Sequence, residues 1–141
     1  MADPRAFISF DADHDMNEKN LFAGQAKNSR TPFNLQDGSS KEPLPQNVWE
    51  KRIEEKIASC DLMIVLVGRS MSSASGVAKE IIFARRNNVP FFGVYVDSAN
   101  MYSNLPAGLE RNRVIGWDWG SIASAIDQMM TEGKNRVSRY P

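Results

Sequence analysis

One carboxylate in this chain stands where an apolar residue is expected. Laying "SGVAKEIIFARR", Ser75 to Arg86, on a helix at about 100° per residue gives a broad apolar arc of Val77, Ala78, Ile81, Ile82, Phe83 and Ala84. Lys79 and Arg86 fall on the narrow polar side. Glu80 falls between Phe83 and Ala84, inside the arc. A buried carboxylate without a partner is costly, so such a residue has either a partner or a task. Partners within sequence reach are Arg69, Arg85 and Lys79, and a salt bridge to one of them is the structural reading of Glu80.

A second acidic group, "DADHD" at Asp11 to Asp15, holds the single histidine, His14. One imidazole with no G-x-S-x-G elbow argues against a hydrolytic triad, and His14 reads as an exposed loop residue. The spacing of Asp11, Asp13 and Asp15 does not continue as an EF-hand, so this is read as a solvated loop with a helix cap. Cys60 is the sole cysteine, which excludes an internal disulfide and a zinc site of ordinary composition. No metal is expected.

The elements that must position Glu80 follow from patterning. "RAFISF" reads as a first strand running into the acidic loop. Asp15 and Glu18 have capping-box spacing and predict a helix over Met16 to Lys27. "TPFNLQD" is a short second strand, followed by the polar loop "GSSKEPLPQ". Asn47 is placed to cap a helix carrying Trp49, Ile53, Ile57 and Cys60 on one face. "DLMIVLVG" is near-continuously apolar, as in a strand covered on both sides. "RSMSSAS" supplies serines to cap the Glu80 helix, which runs to about Asn88 before Pro90. "FFGVYV" and the short "RVIGW" are the last two strands. Ser121 opens a final helix with Ile122, Ile126, Met129 and Met130 inward. Residues 1–133 form a single domain in this reading, and 134–141 a mobile tail.

Strands alternating with helices predict an α/β fold: a flavodoxin-like three-layer α/β/α domain with a five-stranded, mostly parallel sheet in the order 2-1-3-4-5. Ligands of such sheets bind outside the carboxyl ends of the strands, at the switch point between strands 1 and 3. Asp11–Asp15 and Gly68–Ser75 lie there, and Glu80 faces that crevice.

The 141 residues carry equal numbers of acidic and basic side chains, 17 of each, which argues against a dedicated nucleic-acid binder. The start lacks a secretory pattern, and "LMIVLVG" is too short to span a bilayer, so no membrane association and a cytoplasmic location are expected. Familiar occupants of the crevice fit poorly. A phosphoacceptor would need an Asp at the end of strand 3, where Val67-Gly68 stands, and a Lys after strand 5, where Trp117-Asp118 stands. "DADHD" would repel a flavin phosphate. Neither G-x-G-x-x-G nor a P-loop occurs.

The run "IEEKIASCDLMIVLVGRSMSSASGVAKEI" is similar to the middle of a TIR (Toll/interleukin-1 receptor) domain: a helix ending in I-x-x-S/C-D, a hydrophobic strand, a serine-containing loop, then a helix bearing a Glu. "RAFISFDADHD" resembles the first TIR strand and "NNVPFFGVYVD" the fourth. The likeness covers most of residues 5–130 and is nearest to the small bacterial TIR-like proteins of Thoeris anti-phage systems.

That resemblance implies NAD as substrate, without a further cofactor, and cleavage of the nicotinamide–ribose bond. The catalytic glutamate falls on Glu80. The products would be ADP-ribose derivatives, often cyclic, that switch on a separate effector protein. It also implies self-association into a homo-oligomer on activation. Many TIR enzymes carry a Trp four residues before the Glu; here that position is Gly76, and Trp49, Phe10 or Tyr102 are the aromatic candidates to replace it. Further substrate-binding candidates are Phe10 as a stacking wall, Asp11 and Asp37 as acceptors, and Ser70 and Ser75 as phosphate donors or helix caps. The loop Asp37–Gln46 sits where TIR domains carry their BB loop. The chemistry is consistent with one essential carboxylate. Nicotinamide leaves NAD as a neutral amine, and the transition state carries positive charge on the ribose. The alternative is a non-catalytic TIR-like adaptor that works by protein–protein assembly.

Overall fold

The structure, a computed structural model, describes residues 4–28, 34–39 and 44–132, with the backbone alone at 28 and 34–37. The tail expected over 134–141 lies outside the described residues. Five strands, β1 (Arg5–Ser9), β2 (Asn34–Gly38), β3 (Leu62–Val67), β4 (Phe91–Tyr95) and β5 (Val114–Ile115), form one sheet in the order β2-β1-β3-β4-β5. Every neighbouring pair is parallel. Among the described residues three α-helices connect consecutive strands, α1 (Met16–Asn28), α2 (Gln46–Ala58) and α3 (Ser75–Arg86), and a fourth, α4 (Trp119–Glu132), follows β5.

Side chains alternate across a strand, so each strand feeds two cores. Phe7, Met63, Val65, Val67 and Phe91 face α2 and α3, where they meet Ile53, Ile57, Val77, Ile81 and Ala84. Ala6, Ile8, Leu62, Ile64, Leu66, Phe92 and Val94 face the other layer, where Phe22 of α1 and Ile122, Ile126 and Met129 of α4 cover them. All six residues of β3 are buried, as a central parallel strand requires. The β1–β2 register slips between Ala6 and Phe7, bringing Asp37 opposite Phe7 and Gly38 opposite Ile8. That slip sets Ser39, the residue after β2, beside Ser9 at the end of β1.

The caps differ from expectation. Pro45, not Asn47, stands at the N-cap of α2, and its carbonyl accepts from the Val48 and Trp49 amides. Proline fits there because it gives up no donor that the helix needs. Ala74, not a serine, precedes α3, and no side chain caps it. The helix ends at Arg86, short of Asn88, which adopts a positive φ of 55°. α4 begins at Trp119 rather than Ser121; Asp118 caps it, its carboxylate accepting from the Ser121 amide at 2.9 Å and hydroxyl at 2.8 Å. Those bonds hold the Asp118 carboxyl below its usual range. Two apolar positions expected inside, Ile82 and Met130, are exposed. No helix among the described residues is long and apolar enough to cross a membrane.

Candidate functional site

Glu80 sits midway along α3 and is 0% exposed, while its neighbour Ile82 is 55% exposed. The helix thus presents a carboxylate inward and an isoleucine to solvent. Nothing cationic among the described residues accounts for this. Arg69 pairs with Asp97 at 3.3 Å, Lys79 with Glu50 at 3.5 Å, and Arg85 donates to the Gly108 carbonyl. The salt-bridge reading of Glu80 is therefore overturned.

Its partners are two hydroxyls. Ser9 Oγ donates to Glu80 Oε1 at 2.6 Å, and Ser39 Oγ donates to the same oxygen at 2.5 Å. Ser9 is the last residue of β1 and shares the face of Phe7, toward α3. Ser39 is held by its own amide, which donates to the Ile8 carbonyl at 2.9 Å, and its hydroxyl accepts from the Phe10 amide at 3.0 Å. Two chain segments thus converge on one carboxylate oxygen of a third. Among the described residues Oε2 has no hydrogen-bond partner. Burial pushes the Glu80 carboxyl up to about 7, and the hydroxyls of Ser39 and Ser9 oppose that rise.

Glu80 lines a cavity of about 140 Å³ at the carboxyl end of β1. Phe10 to Asp13 of the loop after β1, Ser73 to Val77 at the start of α3, and Ser39 and Trp49 line it as well. A Cβ built on Gly76 would meet the Trp49 ring at 3.9 Å, so the indole of α2 covers the space left by the missing side chain. Asp11 is 7% exposed; its Oδ1 accepts from the Asp13 amide at 3.0 Å and its Oδ2 faces His14 Nδ1 at 2.7 Å. The hydrogen bond and charge of Asp11 raise the pKa of the exposed His14.

Of the residues singled out from sequence, Glu80, Phe10, Asp11 and Ser75 come together around this cavity. Ser70 does not. It precedes the short turn Met71–Ser73, where its carbonyl takes the Ser73 amide and hydroxyl, and it lines no wall of the cavity. Asp37 lies in β2 one residue before Gly38, and its side chain is outside the described residues, as is part of the loop Asp37–Gln46. Of the aromatic substitutes, Trp49 and Phe10 reach the cavity, whereas Tyr102 is 87% exposed and does not. Ser9 and Ser39 escaped sequence reasoning. Ser9 carried a signal: it is a polar residue in an apolar strand, on the face that receives Glu80. Ser39 carried none, because the register slip that places it is not written in the pattern.

A second buried carboxylate lies at the same edge. Asp15, just ahead of α1, is 0% exposed, and neither oxygen has a partner among the described residues. Its carboxylate lies against Gly68 at the end of β3, where a Cβ would fall 2.2 Å from Oδ2. Asp15 is therefore no capping side chain; burial first, then the charges of Asp11, Glu18 and Asp97, push it up to about 6.

A parallel five-stranded α/β sheet with a buried carboxylate at the crevice beyond β1 is the arrangement expected of a TIR-like domain, and the family match below shows that class. A crystal structure of a prokaryotic SEFIR domain matches it at a TM-score of 0.50 and 14% identity, over 92% of this chain and 91% of that one, a likeness of fold. The glutaminase domain of Trypanosoma brucei CTPS with bound acivicin matches at a TM-score of 0.42 and 20% identity, over 64% of this chain. This chain spans 36% of that one. No curated protein matches. Residues 7–101 match the family "Thoeris protein ThsB, TIR-like domain", and the chain belongs to that family.

Proposed function

We propose that the chain cleaves the nicotinamide–ribose bond of NAD and releases an ADP-ribose-type signalling molecule in anti-phage defence. The observation that carries this reading is Glu80, a buried carboxylate that lines a cavity and has one oxygen, Oε2, without a partner among the described residues. An anion held in a dry site stabilises positive charge far better than it would in water. As the C–N bond breaks, its electron pair leaves with neutral nicotinamide, and positive charge develops on the ribose beside Glu80. Trp49 and Phe10 offer flat apolar surface for the departing ring, and Asp11 and Ser75 offer an acceptor and a donor at the rim.

The second step adds a nucleophile at the same carbon. Water gives linear ADP-ribose, and a nitrogen or hydroxyl of the substrate itself gives a cyclic product. The cavity is smaller than the several hundred Å³ of a typical ligand site. It suits the ribose end of a dinucleotide, and the remainder would lie across the outer loops or on a second copy. Homo-oligomerisation on activation, a cytoplasmic location and a separate effector that reads the product belong to this proposal.

Purified protein, at high concentration and in lysate from phage-infected expressing cells, is incubated with NAD, and free nicotinamide is read by chromatography. Wild type is expected to release it and Glu80→Ala not. Equal, background release by both, with biological activity retained in Glu80→Ala and lost on changes to Asp37–Gln46, would establish the adaptor reading instead.

A further inference from the structure

We infer that Asp15, Glu18 and Asp97 form a binding site for a hard divalent cation at the carboxyl edge of the sheet. One carboxylate oxygen from each residue lies within 4.8 Å of the others. Three chain segments supply them: the end of the β1–α1 loop, the first turn of α1, and the residue two places beyond β4. Three acidic groups in one place do not make a site, but Asp15 sets this cluster apart. It is fully buried, both its oxygens lack hydrogen-bond partners among the described residues, and it is within ligand reach of two more carboxylates. A buried carboxylate ordinarily takes hydrogen bonds from amides or hydroxyls, as Glu80 does nearby. Among the described residues Asp15 takes none and instead faces like charge.

The donor set suits calcium. Three carboxylates from three separate chain segments fit the flexible coordination of Ca²⁺, which takes six to eight oxygens at about 2.3–2.6 Å. Mg²⁺ demands near-ideal octahedral geometry at about 2.0–2.1 Å, gives up its waters reluctantly, and is usually held by one or two carboxylates. All three candidate ligands are carboxylates, the donors that hard cations prefer over thiolate-seeking metals. Gly68 leaves the room that Asp15 occupies, since any side chain there would displace the carboxylate.

The guanidinium of Arg69 is the local competitor. It reaches both oxygens of Asp97 at 3.3 Å and is 67% exposed, free to swing outward. A bound cation would tie α1 and the loop before it to the end of β4. The other end of that loop is Phe10 and Asp11, the wall of the Glu80 cavity. The cation would thereby stiffen one side of the cavity without entering it.

The test reads binding, not turnover, so it stands apart from the NAD reading. Chelator-stripped full-length protein is titrated with CaCl₂ and with MgCl₂ by calorimetry and by thermal unfolding. Wild type is expected to bind Ca²⁺ more tightly than Mg²⁺, with a rise in Tm of roughly 3 °C or more near saturation. Asp15→Asn is expected to fold, to melt no lower than stripped wild type, and to lose the response. Glu18→Gln weakens binding, and Arg69→Gln strengthens it by removing the competitor. Asp13→Asn, at the exposed part of the loop, leaves it unchanged. The proposal is overturned by an absent response at millimolar cation in both wild type and Arg69→Gln. It is equally overturned by an unchanged response in Asp15→Asn, or by one that follows Asp13.

Discussion

Glu80 and Asp15 are both carboxylates with no exposed surface, and both lie at the carboxyl edge of the sheet. Burial is the main force raising both, to about 7 and about 6. Their surroundings differ in kind. Glu80 receives two hydroxyl hydrogen bonds on one oxygen, has none on the other among the described residues, and lines a cavity. Asp15 receives none among the described residues, is wedged against a glycine, and has Glu18 and Asp97 as neighbours. The first is an anion fixed in one orientation by hydroxyls and set beside a cavity, an arrangement suited to meeting positive charge that appears during a reaction. The second is an anion surrounded by anions, an arrangement suited to a positive charge that stays.

The sharpest way to break this contrast is to remove the charge of Glu80 while keeping its shape. Gln in its place can still accept both serine hydroxyls through its carbonyl oxygen. Nicotinamide release by Glu80→Gln is expected to fall on the order of 10²–10³-fold, the usual scale for losing a preorganised electrostatic group. Wild-type kcat/KM should rise with pH through about 7 as the carboxyl ionises in the free protein. A flat profile from pH 6 to 8, roughly one unit either side of that value, would remove the charge from the mechanism.

The same substitution acts on stability with the opposite sign. The folded carboxyl titrates near 7 against an ordinary 4.5. Between those values the native state keeps a proton that the unfolded state has released. Stability is therefore full below 4.5, falls as pH rises toward 7, and is level above it. Glu80→Gln is expected to be more stable than wild type by about 2–3 kcal/mol at pH 8, with the difference vanishing near pH 4. Urea unfolding at the two pH values measures this. An inactive variant that is also stabler than the parent marks a residue kept for its task.

Asp15 is probed through its neighbour. Gly68→Ala places a methyl group 2.2 Å from Oδ2, and all three nearest atoms belong to Asp15. The expected cost is about 1–3 kcal/mol, as for other overpacked sites. In an Asp15→Ala background the same change should cost little, since the obstructing atoms are gone. A double-mutant cycle with no coupling would show that the two residues do not meet.

The layers of the fold were legible in the sequence because hydrophobic alternation is a strong, local signal. The run "DLMIVLVG" could only be a covered strand, and β3 is buried throughout. Glu80 was legible as a misfit in an apolar arc, and its burial makes the misfit real. The helix starts were less legible, since Asn47 and Ser121 have capping side chains but Pro45 and Asp118 stand at the actual ends. Exposure of Ile82 and Met130 follows from how far each helix face is covered, which depends on neighbours and not on the helix alone. The serine shell of Glu80 was hidden for the same reason. Ser9 and Ser39 are separated from it by 71 and 41 residues, and only the parallel crossovers bring them together. Ser70, chosen for its type and loop, lies beyond the cavity because the turn Met71–Ser73 carries it away.

The smallest expected effect separates the two serines. Both donate to Oε1, yet Ser9 is fully buried and Ser39 half-buried. Removing either hydroxyl withdraws a bond that favours the anion, worth roughly 1 kcal/mol after solvent compensation. That should raise the apparent Glu80 pKa by up to about one unit and move the kcat/KM profile to higher pH. Ser9→Ala should move it further, because no water can reach the site of a residue with no exposed surface. At Ser39 water can take the vacated position, although the Phe10 amide also loses its acceptor there. If the order of the two shifts is reversed, access of water does not set the strength of these bonds. The hold that Ser39 exerts on Phe10, and through it on the cavity wall, would then be the larger part of its role.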